Sequence, residues 1–189
     1  LNNTYADPQL YPSIKDVYRE RAYNSLGKFT QKEVNEMLEV IDSLPDGEMM
    51  IHGDYHTNNV MIDKNKNLML IDMADISYGN GFFDIAGSYL VFVFCCKFIP
   101  SNMKKICGLN YKQCPQIWNI LLRKYYNIKT DQEYERYMKL CAVFSDLRIC
   151  TTIGIKGSEK NVIKRKLSLC LGKIILRKYK KWIELFKSI

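Results

Sequence analysis

Three short apolar runs lie close together in the first half of the chain: Met49-Met50-Ile51, Val60-Met61-Ile62 and Leu68-Met69-Leu70-Ile71. Between the last two sits Asp63-Lys64-Asn65-Lys66-Asn67, a polar cluster of turn-forming residues. Apolar runs of this length bounded by such clusters read as strands, so the pattern predicts a loop over residues 52–58 followed by a β-hairpin. Upstream, Ser13-Ile14-Lys15-Asp16 opens a helix expected to reach residue 26, where Gly27 ends it. Thr30-Gln31-Lys32-Glu33 has the form of a capping box and starts a second helix, stopped after residue 43 by Pro45-Asp46-Gly47.

Downstream, Gly79-Asn80-Gly81 argues against regular structure over residues 73–81. Residues 83–99 are expected to form a buried helix ended by Pro100, and residues 116–126 another. Thr130-Asp131-Gln132-Glu133 repeats the capping-box form at the start of a helix reaching residue 153, with Gly154 and Gly157 ending it. Residues 159–186 read as one or two final helices with a break at Gly172. The expected fold class is mainly α with a small β-hairpin.

At 189 residues and 47% hydrophobic, the chain can bury one good core, which fits a single domain or lobe. The apolar stretch over residues 82–99 is interrupted by Asp84 and Lys97 and is shorter than a bilayer requires, so a buried helix is expected, not a membrane span. Seven cysteines (Cys95, Cys96, Cys107, Cys114, Cys141, Cys150 and Cys170) form no C-x-x-C pair, which points to reduced core thiols and a cytoplasmic setting. Charge is divided unevenly. Residues 1–90 carry seven Lys/Arg against fourteen Asp/Glu, net −7, while residues 91–189 carry twenty-one against six, net +15. The basic half could draw in nucleotide phosphates or an acidic partner, but no nucleic-acid-binding module accompanies its lysines, which alternate with apolar residues as on amphipathic helices.

Chemistry concentrates in the loop and hairpin. The loop would present Asp54 and Asn59 at one end of the hairpin, and the returning strand would bring Asp72 back to that end. Two carboxylates and an amide oxygen suit Mg²⁺, which takes oxygen ligands and keeps waters and substrate phosphates beside one or two protein carboxylates. With Asn59 and Asp72 on the metal, Asp54 is left to orient or deprotonate an attacking hydroxyl, the division of labour that phosphoryl transfer needs. A ring nitrogen of His52 can tie down a loop carbonyl without touching the reaction. His56 reads equally as exposed loop or substrate contact, and Asp75 as a loop carboxylate or a third acidic contact for metal or substrate.

The ordered set His52-Gly53-Asp54, Asn59, Ile71-Asp72 and Gly81-Phe82-Phe83-Asp84-Ile85-Ala86 resembles the family of aminoglycoside phosphotransferases and choline or ethanolamine kinases, relatives of the protein kinases. The resemblance is nearest to uncharacterised bacterial members and covers residues 10–95. It implies that Asp54 is the catalytic aspartate, that Asn59 and Asp72 are the magnesium ligands, that Asp84 buttresses the catalytic loop and that His52 braces it. It also implies the C-terminal, helical lobe of a protein-kinase-like fold. Because only fifty-one residues precede His52 and none forms a glycine-rich phosphate loop, the N-terminal nucleotide-binding lobe is expected to be absent from this chain. The implied activity is transfer of the γ-phosphate of ATP or GTP to a hydroxyl of a small molecule, by a fragment that is inactive alone and self-associates through the face the other lobe would cover. The alternative is a pseudokinase-like binding module without turnover.

Overall fold

The computed structural model describes residues 3–155. The expected final helices around Gly172, Cys170 and the lysine-rich stretch from residue 156 onward lie outside the described residues.

The polar and apolar alternation around residue 65 folds as expected. Strands β2 (Val60–Ile62) and β3 (Leu68–Leu70) pair antiparallel, with Val60 opposite Leu70 and Ile62 opposite Leu68. The turn is held by Asp63, whose Oδ1 accepts the backbone N–H groups of Asn65 and Asn67, each at 2.8 Å. A second small sheet corrects the expectation for residues 73–81. Ser77–Gly79 forms β4, paired antiparallel with β1 (Met49–Ile51). Gly79 does not break the strand here, because the missing side chain lets the backbone lie against Ile14, whose Cγ2 would stand 2.3 Å from an added Cβ.

Helix α1 (Ile14–Tyr23) ends three residues earlier than expected, and Gly27 closes the following turn at φ +89°. Helix α2 (Gln31–Ser43) begins on the anticipated capping box, with Thr30 and Glu33 exchanging side-chain and backbone hydrogen bonds. The long apolar helix starts at Phe82 and runs as α3 (Phe82–Tyr89), a π-helical stretch Leu90–Cys95 and α4 (Cys96–Phe98). Pro100 then opens a 3₁₀ turn, and α5 (Met103–Cys107) follows without any forecast from the sequence. Helix α6 (Cys114–Tyr125) matches its expectation, whereas α7 (Asp131–Ile155) runs through Gly154.

These elements share one core. Phe83 and Phe144 meet edge to face at 5.1 Å, with Tyr18 and Phe82 against the same rings, which joins α1, α3 and α7. Such aromatic pairs add directional attraction to the area they bury. The cysteines at 95, 96, 107, 114, 141 and 150 are free thiols, the last four of them buried. Among the described residues no helix is long and apolar enough to cross a membrane. The architecture is mainly helical with two small antiparallel sheets.

Candidate active site

The loop between β1 and β2 is held on one side by α3 and on the other by α5. Beneath it, the buried carboxylate of Asp84 on α3 accepts two backbone N–H groups at once, from His52 to Oδ2 at 2.9 Å and from Gly53 to Oδ1 at 2.8 Å. One turn later on α3, Ser88 donates its hydroxyl to the carbonyl of Tyr55 at 2.6 Å. On the far side, Thr57 donates to the carbonyl of Cys107 at 2.5 Å, and Asn58 Nδ2 donates to the carbonyls of Lys105 and Ile106 at 3.2 and 3.0 Å. These bonds use the carbonyls left unpaired in the last turn of α5.

His52 is fully buried and links the two ends of the site. Its Nε2 donates to the carbonyl of Ile71 at 3.0 Å while its Nδ1 accepts the backbone N–H of Asp54 at 3.3 Å, a pairing that requires the neutral ring with its proton on Nε2. Asn59, also buried, donates Nδ2 to the carbonyl of Asp54 at 2.8 Å, and its own carbonyl accepts from Ile71 N–H at 3.0 Å. Asp72 follows directly, exposed, with φ +59°. Asp54 and Asn59 are therefore bonded to each other and, through His52 and the Asn59 carbonyl, to Ile71, the residue that precedes Asp72. Asp tolerates the left-handed region better than most residues, and a non-glycine residue held there is a common feature of functional loops.

Asp54 itself is half-exposed at the mouth of the loop. Arg148, arriving from α7, donates Nη2 to Oδ1 at 2.9 Å, and the His56 Nε2 lies 3.5 Å from Oδ2. The His56 ring and the Arg148 guanidinium hold the Asp54 carboxyl below its ordinary value, against the upward push of partial burial. His56 Nδ1 is buried without a hydrogen-bond partner among the described residues. Asp75 pairs with Arg21 of α1 at 3.4 Å and packs on Gly53, where an added Cβ would stand 2.6 Å from both the Asp75 Cβ and its carbonyl oxygen. Gly53 also has φ +83°, so this position needs glycine on both counts.

Behind the loop, a cleft of about 420 Å³ opens between the hairpin and α6, lined by Tyr55, Val60, Leu70, Leu121 and Tyr125 among others. Its lining does not include Asp54 or Asp72. Among the described residues no three His, Cys, Asp or Glu side chains cluster as a metal site.

Residues 6–100, which hold the loop, the hairpin, β4 and α3, match the model of the phosphotransferase enzyme family. The chain belongs to that family. No curated protein and no solved structure matches it. The family match stops ahead of α5, α6 and α7, yet the loop is tied to α5 by Thr57 and Asn58 and to α7 by Arg148. None of those contacts was anticipated from the sequence. Arg148 lies ninety-four positions beyond Asp54, in a helix where the sequence marked no site residue. The one available signal was its place next to Leu147 and four residues after Phe144, on the edge of the apolar stripe.

Proposed function

We propose that the chain is the helical, catalytic lobe of a small-molecule kinase, transferring the γ-phosphate of ATP or GTP to a hydroxyl of an amino alcohol, sugar-like compound or aminoglycoside. What supports this reading is the bonding of the Asp54 and Asn59 loop to Ile71, the residue before Asp72, in a chain of the phosphotransferase enzyme family. Asp54 accepts or orients the acceptor's proton, a role suited to a carboxylate kept ionised and reachable from solvent. His52 and Asp84 hold the loop backbone and stay out of the reaction. His56 flanks the base and meets the acceptor, while Asp75 braces Gly53.

The donor set fits magnesium. Asn59 commits its Nδ2 to the Asp54 carbonyl, so Oδ1 is the atom it has to offer a cation, and Asp72 adds an exposed carboxylate one residue beyond the Asn59–Ile71 bond. Bound there with nucleotide, magnesium would neutralise phosphate charge. A sparse set of one amide and one carboxylate leaves room for waters and phosphate oxygens to complete its shell.

Phosphoryl transfer depends on clamping the β- and γ-phosphates, and in kinases a second lobe does this. The hairpin exposes Met61, Ile62, Leu68 and Met69, an apolar surface suited to lie under such a lobe or, uncovered, to self-associate. The reaction belongs in the cytoplasm, where nucleotide triphosphate is supplied and thiols stay reduced.

The reading is tested by incubating the full-length protein with Mg-ATP or Mg-GTP and a panel of amino alcohols, sugars and aminoglycosides, following new phosphate esters by ³¹P NMR. At least one hydroxyl compound is expected to be phosphorylated in a magnesium-dependent way. Nucleotide binding without any ester formed would favour a non-catalytic module.

A further inference from the structure

Arg148 is a charged group placed inside the fold. Its side chain is only 13% exposed, and α7 carries it beside the fully buried Leu140, Phe144 and Leu147. A guanidinium at that depth is costly unless an anion meets it. The anion is the carboxylate of Asp54, 2.9 Å from Nη2. The route between them crosses α3 at Gly87, where an added Cβ would stand 2.5 Å from Arg148 Nη1. Glycine at that point leaves the channel through which the guanidinium reaches the loop.

Asp54 has two backbone ties, through its N–H to His52 and its carbonyl to Asn59, but these leave the side chain free to rotate. Arg148, 2.9 Å from Oδ1, supplies the shorter of the two side-chain constraints, the other being His56 at 3.5 Å from Oδ2. A bond on Oδ1 stops the carboxylate from turning, which leaves Oδ2, on the His56 side, in one place. Positioning contributes most of the rate in phosphoryl transfer, and an error of about 1 Å in a reacting group can cost roughly 10²-fold.

We propose that Arg148 is a positioning residue for the reaction: from α7, outside the residues matched to the family, it fixes the carboxylate of Asp54 so that Oδ2 meets the acceptor hydroxyl. This rests on the phosphotransferase reading, with Asp54 as the base. It makes the docking of α7 on α3 a requirement for turnover as well as for folding. Arginine is needed because its planar fork reaches the carboxylate from a fixed stem, whereas lysine keeps the charge but offers a shorter, rotating donor.

The test compares Mg-ATP consumption by the full-length protein, with pooled amino alcohols, sugars and aminoglycosides as acceptors, for wild type, Asp54→Asn, Arg148→Lys and Arg148→Gln. Folded fraction is measured for each by circular dichroism. Per folded molecule, Arg148→Gln should lower kcat about 30-fold or more with KM for Mg-ATP within about 2-fold, and Arg148→Lys should recover part of the loss, to about 3- to 10-fold below wild type. Adding Arg148→Gln to Asp54→Asn should lower kcat no further, since the two act as a unit. A purely structural arginine would change the folded fraction and leave kcat alone. Loss of turnover in Asp54→Asn with kcat within about 2-fold of wild type in the Arg148 variants overturns this inference and leaves the function reading standing. Should Arg148→Gln fail to fold, Arg148→Lys decides by the same criterion. Turnover that survives Asp54→Asn, or a wild type without turnover, overturns the function reading and this inference together.

Discussion

At the scale of single residues, the site is built by side chains that satisfy backbone groups. Asp84 is the clearest case, a buried carboxylate whose two oxygens each take one N–H of the loop between β1 and β2. Asp84→Asn keeps the shape but turns an amide NH₂ toward one of those donors, leaving a buried N–H without an acceptor. The expected loss of stability is about 2 kcal/mol, within the range for an orphaned buried donor or acceptor. Urea unfolding of wild type and variant measures it, and equal midpoints would show that the loop does not depend on this carboxylate. His52 acts in the same way, with one nitrogen for Ile71 and the other for Asp54. It was singled out because a ring nitrogen can tie down a loop carbonyl, and its Nε2 meets the carbonyl of Ile71.

At the scale of elements, local chemistry decided what could be foreseen. The two capping boxes and the Asp63 turn are written in four or five adjacent residues, and all three formed. At the start of α7, Glu133 Oε2 accepts the N–H groups of Lys129 and Thr130, each at 3.0 Å, and these bonds hold its carboxyl below the ordinary value. A carboxylate with a lowered folded pKa contributes stability above its unfolded value, about 4.3 for Glu, and loses it as pH falls through the folded value. Glu133→Gln should therefore be less stable than wild type near pH 7, with the difference vanishing in acid. Thermal unfolding of both across pH 2 to 7 checks this, and a gap that stays constant with pH would exclude the ionised cap. The strand Ser77–Gly79 and helix Met103–Cys107 escaped notice for different reasons. The strand depends on β1, about thirty residues away, and on the absence of a side chain at Gly79 that lets it pack against Ile14. The helix is five residues long, too short to show a period.

At the scale of the whole molecule, one aromatic core shared by α1, α3 and α7 determines where the chemistry sits. Phe83, Phe144 and Tyr18 bring α7 against α3, and that packing delivers Arg148 to Asp54. Asp54, Asn59 and Asp72 could be singled out from order and spacing because they lie within eighteen positions of one another, residues 54 to 72. The cation was not, since only the tertiary fold spans the ninety-four positions between Asp54 and Arg148. The claim on which the whole account depends is that Asp54 is the base of a phosphotransferase. Steady-state phosphotransfer by the full-length protein, wild type against Asp54→Ala, tests it most directly. The account predicts that kcat falls about 10²-fold or more while nucleotide affinity changes little, because the lost group acts on the acceptor and not on the nucleotide. Turnover near the wild-type rate in Asp54→Ala would contradict it.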